Sequence, residues 1–221
     1  MSAAAAPASE ATVAPPPPSE AVYRDDGVLA GAVGRLARGV PVPAMALLLA
    51  GLVPLAIAAV VEGEGASTGL AAAVLAWLIA CHGVTSARWP KESFTWAVPP
   101  LIRLGEYAGI VWIAAIAGED ALPAAYALLA TLAFRHYDLV YRRRHRAEVP
   151  PAWLNAVALG WEGRLILAWL LLALGALPEA MFAWAALLAI VSLAETVAAW
   201  RRFGRVPRPA EYDDVEEDEA G

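Results

Sequence analysis

The chain has 221 residues, 60% of them hydrophobic and 17% charged, with a mean hydropathy of +0.55; a water-soluble domain carries about 45 to 50% apolar and about 25% charged residues. The excess has to meet lipid, which excludes a soluble enzyme and a nucleic-acid-binding domain. The formal charge of -6 is a property of one tail, because Glu211, Asp213, Asp214, Glu216, Glu217, Asp218 and Glu219 all follow Pro209.

Residues 1–22 are Ala, Pro, Ser and Glu with four consecutive prolines at 15 to 18. They lack the apolar surface that offsets chain entropy and predict a disordered tail. With neither a basic nor an apolar leader region, no cleaved signal peptide is expected. Residues 23–39 predict an amphipathic juxtamembrane helix. Arg24-Asp25-Asp26-Gly27 offers its N-cap candidates, and Val28, Leu29, Ala32, Val33 and Leu36 recur at three and four while Arg35 and Arg38 fall elsewhere.

A membrane domain is expected over 40–203, in six apolar blocks: Val40–Val61, Thr68–Ala87, Ala97–Gly118, Ala121–Tyr141, Ala152–Gly175 and Pro178–Trp200. Each approaches the ~20 residues that a helix needs to cross about 30 Å of hydrocarbon. The fold class is therefore all-α, a six-helix transmembrane bundle rather than a β-barrel, followed by an acidic disordered tail over 204–221. Pro41, Pro43 and Pro54 predict the start of the first helix and one kink.

The basic residues set a topology. Arg24, Arg35 and Arg38 precede the first block; Arg88 and Lys91 lie between the second and third; Arg142, Arg143, Arg144 and Arg146 follow the fourth; Arg201, Arg202, Arg205 and Arg208 follow the sixth. The opposite connections hold Glu62, Glu64, Glu119, Asp120 and Glu179 and no cation. Under the positive-inside rule both termini are cytoplasmic. Trp89, Trp96, Trp153 and Trp200 near block ends suit an interfacial belt.

Ionisable groups inside the blocks also take one side. His82, Arg103, Glu106, Arg135, His136, Asp138, Glu162, Arg164 and Glu195 all lie in the cytoplasmic half or reach the midplane. A charge at the bilayer centre costs ~2.5 kcal/mol or more, so such groups face a bundle interior or a wet cavity. They predict a polar vestibule open inward and closed outside. Arg103 with Glu106, Arg135 with Asp138, and Asp138 with Arg142 are spaced at three or four and can pair along one helix. Glu162 and Arg164, two apart, need partners on other helices: Arg103 or Arg135 for the first, Glu106 or Glu195 for the second. Gly160 and Gly163 allow close helix approach or a break. The stretch from Phe134 to Arg146 brings arginine forks, Tyr137, Tyr141 and His136 to the membrane surface, as an anionic phosphate headgroup requires. The candidate headgroup or vestibule residues are Arg103, Glu106, Arg135, His136, Asp138, Tyr141, Arg142, Glu162 and Arg164.

Catalytic signatures are missing from the sequence: it has no GxSxG elbow, no HExxH and no glycine-rich phosphate loop. One cysteine and three histidines without ligand spacing give no metal site, and no cofactor is expected. Asp25-Asp26-Gly27 does not fit the aspartate motif of CDP-alcohol phosphatidyltransferases, which needs further aspartates on the following turns.

Arg24-Asp25-Asp26-Gly27, His136-Tyr137-Asp138-Leu139-Val140-Tyr141-Arg142 and Gly160-Trp161-Glu162-Gly163-Arg164 together give the chain, over about residues 23 to 203, a likeness to a known domain. It resembles an uncharacterised bacterial integral membrane domain of unknown function that, in larger proteins, often follows a CDP-alcohol phosphatidyltransferase domain. The resemblance implies a place in the bacterial inner membrane and an association with phospholipid or phosphoglycolipid synthesis. The expected partners are membrane lipids and a CDP-alcohol phosphatidyltransferase or another lipid-synthesis enzyme, not nucleic acid. The function expected first is a non-catalytic accessory or lipid-handling module. A small transporter or channel subunit ranks second, and a diverged lipid-headgroup transferase with Glu162, His136 or Asp138 as base ranks third.

Overall fold

The computed structural model describes residues 21–39, 41–87, 95–146 and 151–203. Residues 1–20 of the expected N-terminal tail and the whole tail from 204 lie outside the described residues, as do Arg88, Lys91 and Trp89, while Ala21 and Val22, read as part of that tail, begin a short helix. The described chain is helical with no strand. Its elements are α1 (Ala21–Arg24), α2 (Val28–Leu36), α3 (Ala44–Val61), α4 (Thr68–Val84), α5 (Val98–Ala117), α6 (Leu122–Arg146), α7 (Ala152–Val157), α8 (Gly160–Ala173) and α9 (Leu177–Phe203).

Four stretches are long and apolar enough to cross a membrane: Ala44–Val61, Val98–Ala117, Trp153–Ala173 and Leu177–Arg202. The second expected block yields α4, an apolar helix of only 17 residues, because the chain tightens into a turn over Thr85–Ala87. α6 has the length, 25 residues, but Arg135, His136, Asp138 and Arg142 spread charge through its second half, and it is not among the four. Pro43 caps α3, while Pro54 lies inside it.

The chain turns at positions where backbone chemistry permits. Gly118 (φ 114°) and Gly175 (φ 66°) occupy left-handed backbone between α5 and α6 and between α8 and α9, which glycine adopts without steric cost. These helix pairs pack as neighbours, and α3 with α4, α6 with α9, α5 with α8 and α2 with α4 complete the bundle. Its core is Leu48, Leu55, Leu78, Ile102, Ile110, Ile113, Leu128, Leu132, Trp161, Leu165 and Leu188, interleaved with many alanines. Small residues let helices approach closely where lipid removes the hydrophobic drive for association.

The fifth block is not one helix. It breaks at Leu159 (φ 64°) and Gly160 (φ 73°), so that α8 begins inside an otherwise continuous apolar stretch. α2 also departs from expectation in which face it buries. Its small residues Ala30 and Gly34 are buried, whereas Val28 and Leu36 are each 89% exposed. The apolar stripe read from the sequence points away from the bundle, and the close-packing face is the one with the least side chain.

Candidate functional site

The N-terminus of α8, the N-terminal half of α5, the C-terminal ends of α4, α6 and α9, and the α1–α2 corner all lie at one end of the bundle. Among the described residues every buried charged side chain is found there.

At the centre is a residue that the sequence reading treated only as a helix-cap candidate. The Asp25 Oδ2 atom lies 2.8 Å from Arg164 Nη2, 3.1 Å from Arg135 Nη1, 3.5 Å from His136 Nε2 and 3.7 Å from Arg103 Nη1. Burial alone would raise the Asp25 carboxyl, but the charge of Arg164, the contact with His136 and the charges of Arg135 and Arg103 hold it well below its usual range. Beneath it, Glu106 is fully buried; it takes a donor from the Arg164 Nε atom and pairs with Arg103 Nη1 at 2.8 Å. The expected mates of Arg164 and Arg103 are therefore met. Arg135 does not pair with Asp138. It reaches Asp25 and the Asn155 side-chain oxygen, 2.6 Å away. The Tyr107 hydroxyl shares a hydrogen bond with His136 Nδ1 at 2.9 Å.

Glu162 corrects a second expectation, because its partner is backbone rather than an arginine. Gly27 N–H donates to Oε2 and Ala30 N–H to Oε1, both at 3.0 Å. Gly27 is the N-cap of α2 and offers no side chain to the helix. A capping box uses two side chains on one helix to satisfy the N-cap and third N–H groups; here one carboxylate on α8 satisfies both. It also sits in the first turn of its own helix, where a negative charge is favoured. Asp25 and Asp26 are thus free of the capping role expected of them. Asp26 instead accepts from Arg24 Nε (2.7 Å) and Trp161 Nε1 (2.8 Å), and Arg24 Nη2 donates to the Thr85 hydroxyl (2.9 Å).

The helix break makes this geometry available. With α7 ended, the Ala158 carbonyl loses its helical partner and accepts from Arg164 Nη1 at 2.8 Å, while Trp161 N–H turns outward to the Asp25 carbonyl at 3.2 Å. Irregular backbone at membrane depth is tolerated where protein groups satisfy it. The α2 and α8 N-termini meet through glycine against glycine. A Cβ on Gly160 would stand 2.6 Å from Gly27 Cα, and one on Gly27 would stand 2.7 Å from the Leu159 carbonyl oxygen.

The remaining candidates form a separate cluster between α6 and α9. Arg142 Nη2 pairs with Asp138 at 2.8 Å and Nη1 with Glu195 at 2.5 Å. Arg202 pairs with the other Glu195 oxygen at 3.0 Å, and the Thr196 hydroxyl bridges Asp138 and Arg142. Tyr141 stacks between Tyr137 and Trp200. The nine residues expected to line one vestibule therefore divide, six around Asp25 and three here. Side-chain surroundings of Arg143, Arg144 and Arg146 lie outside the described residues. His82 belongs to neither group; its Nε2 lies 3.1 Å from the Leu48 carbonyl oxygen within the core. Among the described residues no group of three or more His, Cys, Asp or Glu could hold a metal ion.

A model described as a family of unknown function (DUF5941) matches residues 20–218. The chain belongs to that family. No curated protein and no solved structure matches it. The match takes in the α1–α2 corner and both charge clusters, so the Asp25-centred network lies within the DUF5941 domain and is not an appendage to it. This agrees with the likeness to an uncharacterised domain read from the three motifs.

What the Asp25 cluster can do follows from its count of groups. Arg103, Arg135 and Arg164 face Asp25 and Glu106, and with Glu162 beside them the set is even in charge; what is in excess is donors, three guanidinium groups and an imidazole around a single carboxylate oxygen. Guanidinium forks and an imidazole directed at one point are what binds a phosphate or carboxylate. Of the three groups considered as a base, Glu162 holds the Gly27 and Ala30 amides, Asp138 pairs with Arg142, and His136 lies between the Tyr107 hydroxyl and Asp25.

Proposed function

We propose that this DUF5941 protein is a multi-pass protein of the bacterial inner membrane that binds an anionic lipid headgroup at its Asp25 end, acting as a non-catalytic accessory to phospholipid or phosphoglycolipid synthesis. The observation that carries the reading is the convergence of three guanidinium groups and one imidazole on Asp25 Oδ2. Four donor groups directed at one carboxylate oxygen exceed its two lone pairs. A surplus of donors over acceptor oxygens is what an anion-binding site needs.

In this reading α4 and α6 cross the membrane with the four longer apolar stretches, giving six crossings with both termini in the cytoplasm. The split of cations and acids between alternate connections supports that orientation. It puts the Asp25 cluster at the inner leaflet, where anionic headgroups are made and where their surface charge attracts basic groups. The partner is a lipid-synthesis enzyme, in line with the resemblance to a domain that follows CDP-alcohol phosphatidyltransferases.

The test uses the full chain in nanodiscs of phosphatidylcholine with or without phosphatidylglycerol. Thermal stability rises with phosphatidylglycerol in the native protein; Arg135→Gln removes most of the rise and Arg202→Gln leaves it in place. Equal stability in the two lipids sinks the reading. Cysteine labelling at position 143 tests the orientation, which fails if the site reacts only from outside the cell.

A further inference from the structure

We propose that Asp25 is a built-in stand-in for phosphate: the cradle of Arg103, Arg135, Arg164 and His136 takes a phosphate monoester or diester, and the segment 21–36 carries Asp25 in and out of it as a competing internal ligand. This rests on the reading of that end as an anion site and adds what fills it and how it opens.

The first argument is a mismatch between donors and acceptor. One carboxylate oxygen has two lone pairs, yet three guanidinium groups and an imidazole approach Asp25 Oδ2 between 2.8 and 3.7 Å. Two of their nitrogens, Arg135 Nε and His136 Nε2, are buried with no hydrogen-bond partner. Arg135 as a whole is only 6% exposed, and a buried donor left unmade is costly. A phosphate group brings two or three outward oxygens, each with its own lone pairs, and bears one to two negative charges. It would use the donors that a carboxylate leaves over, a diester at the same charge as the carboxylate it displaces and a monoester with up to one more negative charge.

The second argument is the backbone that delivers Asp25. Asp25 stands at φ 53°, in the left-handed region that non-glycine residues enter at a cost. That conformation is imposed by contacts on both sides: Trp161 N–H holds the Asp25 carbonyl, and Glu162 holds the Gly27 and Ala30 amides. These are mostly polar and backbone contacts: the buried residues of α2 are the small Ala30 and Gly34, packed on α4, and Arg24 and Asp26 are held through Thr85 and Trp161 by hydrogen bonds. Segments held chiefly by such contacts belong to the low-stability end of a structure and open locally. Displacing Asp25 relieves the backbone, while the arginines, anchored on α5, α6 and α8, stay in place.

The experiment measures hydrogen exchange over residues 25–31 of the full chain in phosphatidylcholine nanodiscs. Three conditions are compared: no addition, phosphatidylglycerol in the bilayer, and inorganic phosphate in solution. An anion that replaces Asp25 speeds exchange of the Gly27 and Ala30 amides by about tenfold, because opening of the segment is no longer opposed by the arginines. Asp25→Asn removes the competitor and strengthens apparent binding of the same anion by about tenfold, since a self-occupied site offers its ligand only the open fraction. Faster exchange with phosphatidylglycerol alone assigns the site to lipid. Faster exchange with inorganic phosphate alone keeps the internal-ligand proposal and removes the lipid reading. If phosphatidylglycerol stabilises the native protein through Arg135 while exchange over 25–31 stays constant, the proposal is wrong and the anion site stands. If neither anion has an effect on the native protein, both fall. The exchange measurement needs no variant, so misfolding of Asp25→Asn leaves the test decisive.

Discussion

The two charge clusters share one end of the bundle and differ in every other respect. The Arg142 cluster joins α6 to α9, sets Arg142 and Arg202 against Asp138 and Glu195, and comes out even. The Asp25 cluster draws on the α1–α2 corner, α5, α6 and α8, and comes out uneven in donors against acceptors, with three guanidinium groups and an imidazole facing one Asp25 oxygen. Charges matched one to one on two neighbouring helices make a staple. The uneven set, gathered from four places around one carboxylate, is the arrangement on which the anion site is proposed.

The largest expected effect comes from breaking the uneven cluster. Arg164→Met leaves Glu106 with Arg103 alone, takes one partner from Asp25 and empties the Ala158 carbonyl, and loss of one partner from a buried ion pair costs about 3–5 kcal/mol. Detergent-solubilised variant protein should lose its cooperative melting transition or show it at much lower temperature. Gly160→Ala attacks the same region without touching a charge. Its Cβ meets Gly27 Cα at 2.6 Å, and a cost of about 1–3 kcal/mol is expected for forced overpacking, seen as faster exchange across α2 while α9 is unchanged. Glu162→Gln keeps the shape but turns one acceptor oxygen into a donor facing an amide. About 1–3 kcal/mol of local protection is lost, again read in the exchange of Gly27 and Ala30.

Acid sharpens the contrast. A carboxyl whose pKa is depressed on folding gives stability that is whole above its unfolded value and drains away as pH falls through the folded one. For Asp25 the ordinary value is 3.8 and the folded value lies well below it. Protection of residues 25–31 should therefore hold near neutrality and fall off only below 3.8, and Asp25→Asn should reduce that step. Smallest is Arg202→Gln in the even cluster. Its side chain is 59% exposed, and such pairs are worth about 0–1 kcal/mol, so the melting temperature should barely move.

Part of this was readable from residue spacing. Arg103 with Glu106 and Asp138 with Arg142 follow from neighbours on a helix face; Arg164, two positions from Glu162 and so on a different face, needs a mate on another helix, and Glu106 is one of the two that the sequence offers. The centre of the site was not readable. Asp25 lies outside every apolar block, next to a glycine and ahead of a helical pattern, where aspartate ordinarily caps. Nothing in one-dimensional spacing relates it to Arg164, 139 positions away. Glu162 was misassigned for a related reason, since pairing rules consider side chains and its partners are amides. The break before α8 was announced by Gly160 and Gly163, but only the fold shows that Leu159 shares the left-handed turn. The crossing count is where hydropathy and structure part. α4 is short and α6 is charged at one end, so composition alone marks four stretches where block lengths suggested six.

The glycine pair at the α2–α8 junction also bears on how the polypeptide is made. Gly27 has no Gly160 to rest against, and its amide no Glu162 to bind, until some 135 further residues have been joined. α2 can settle on α4 as soon as that helix is made, yet its N-terminal amides find no Glu162 until the fifth apolar block emerges. The corner is completed from the far side of the chain.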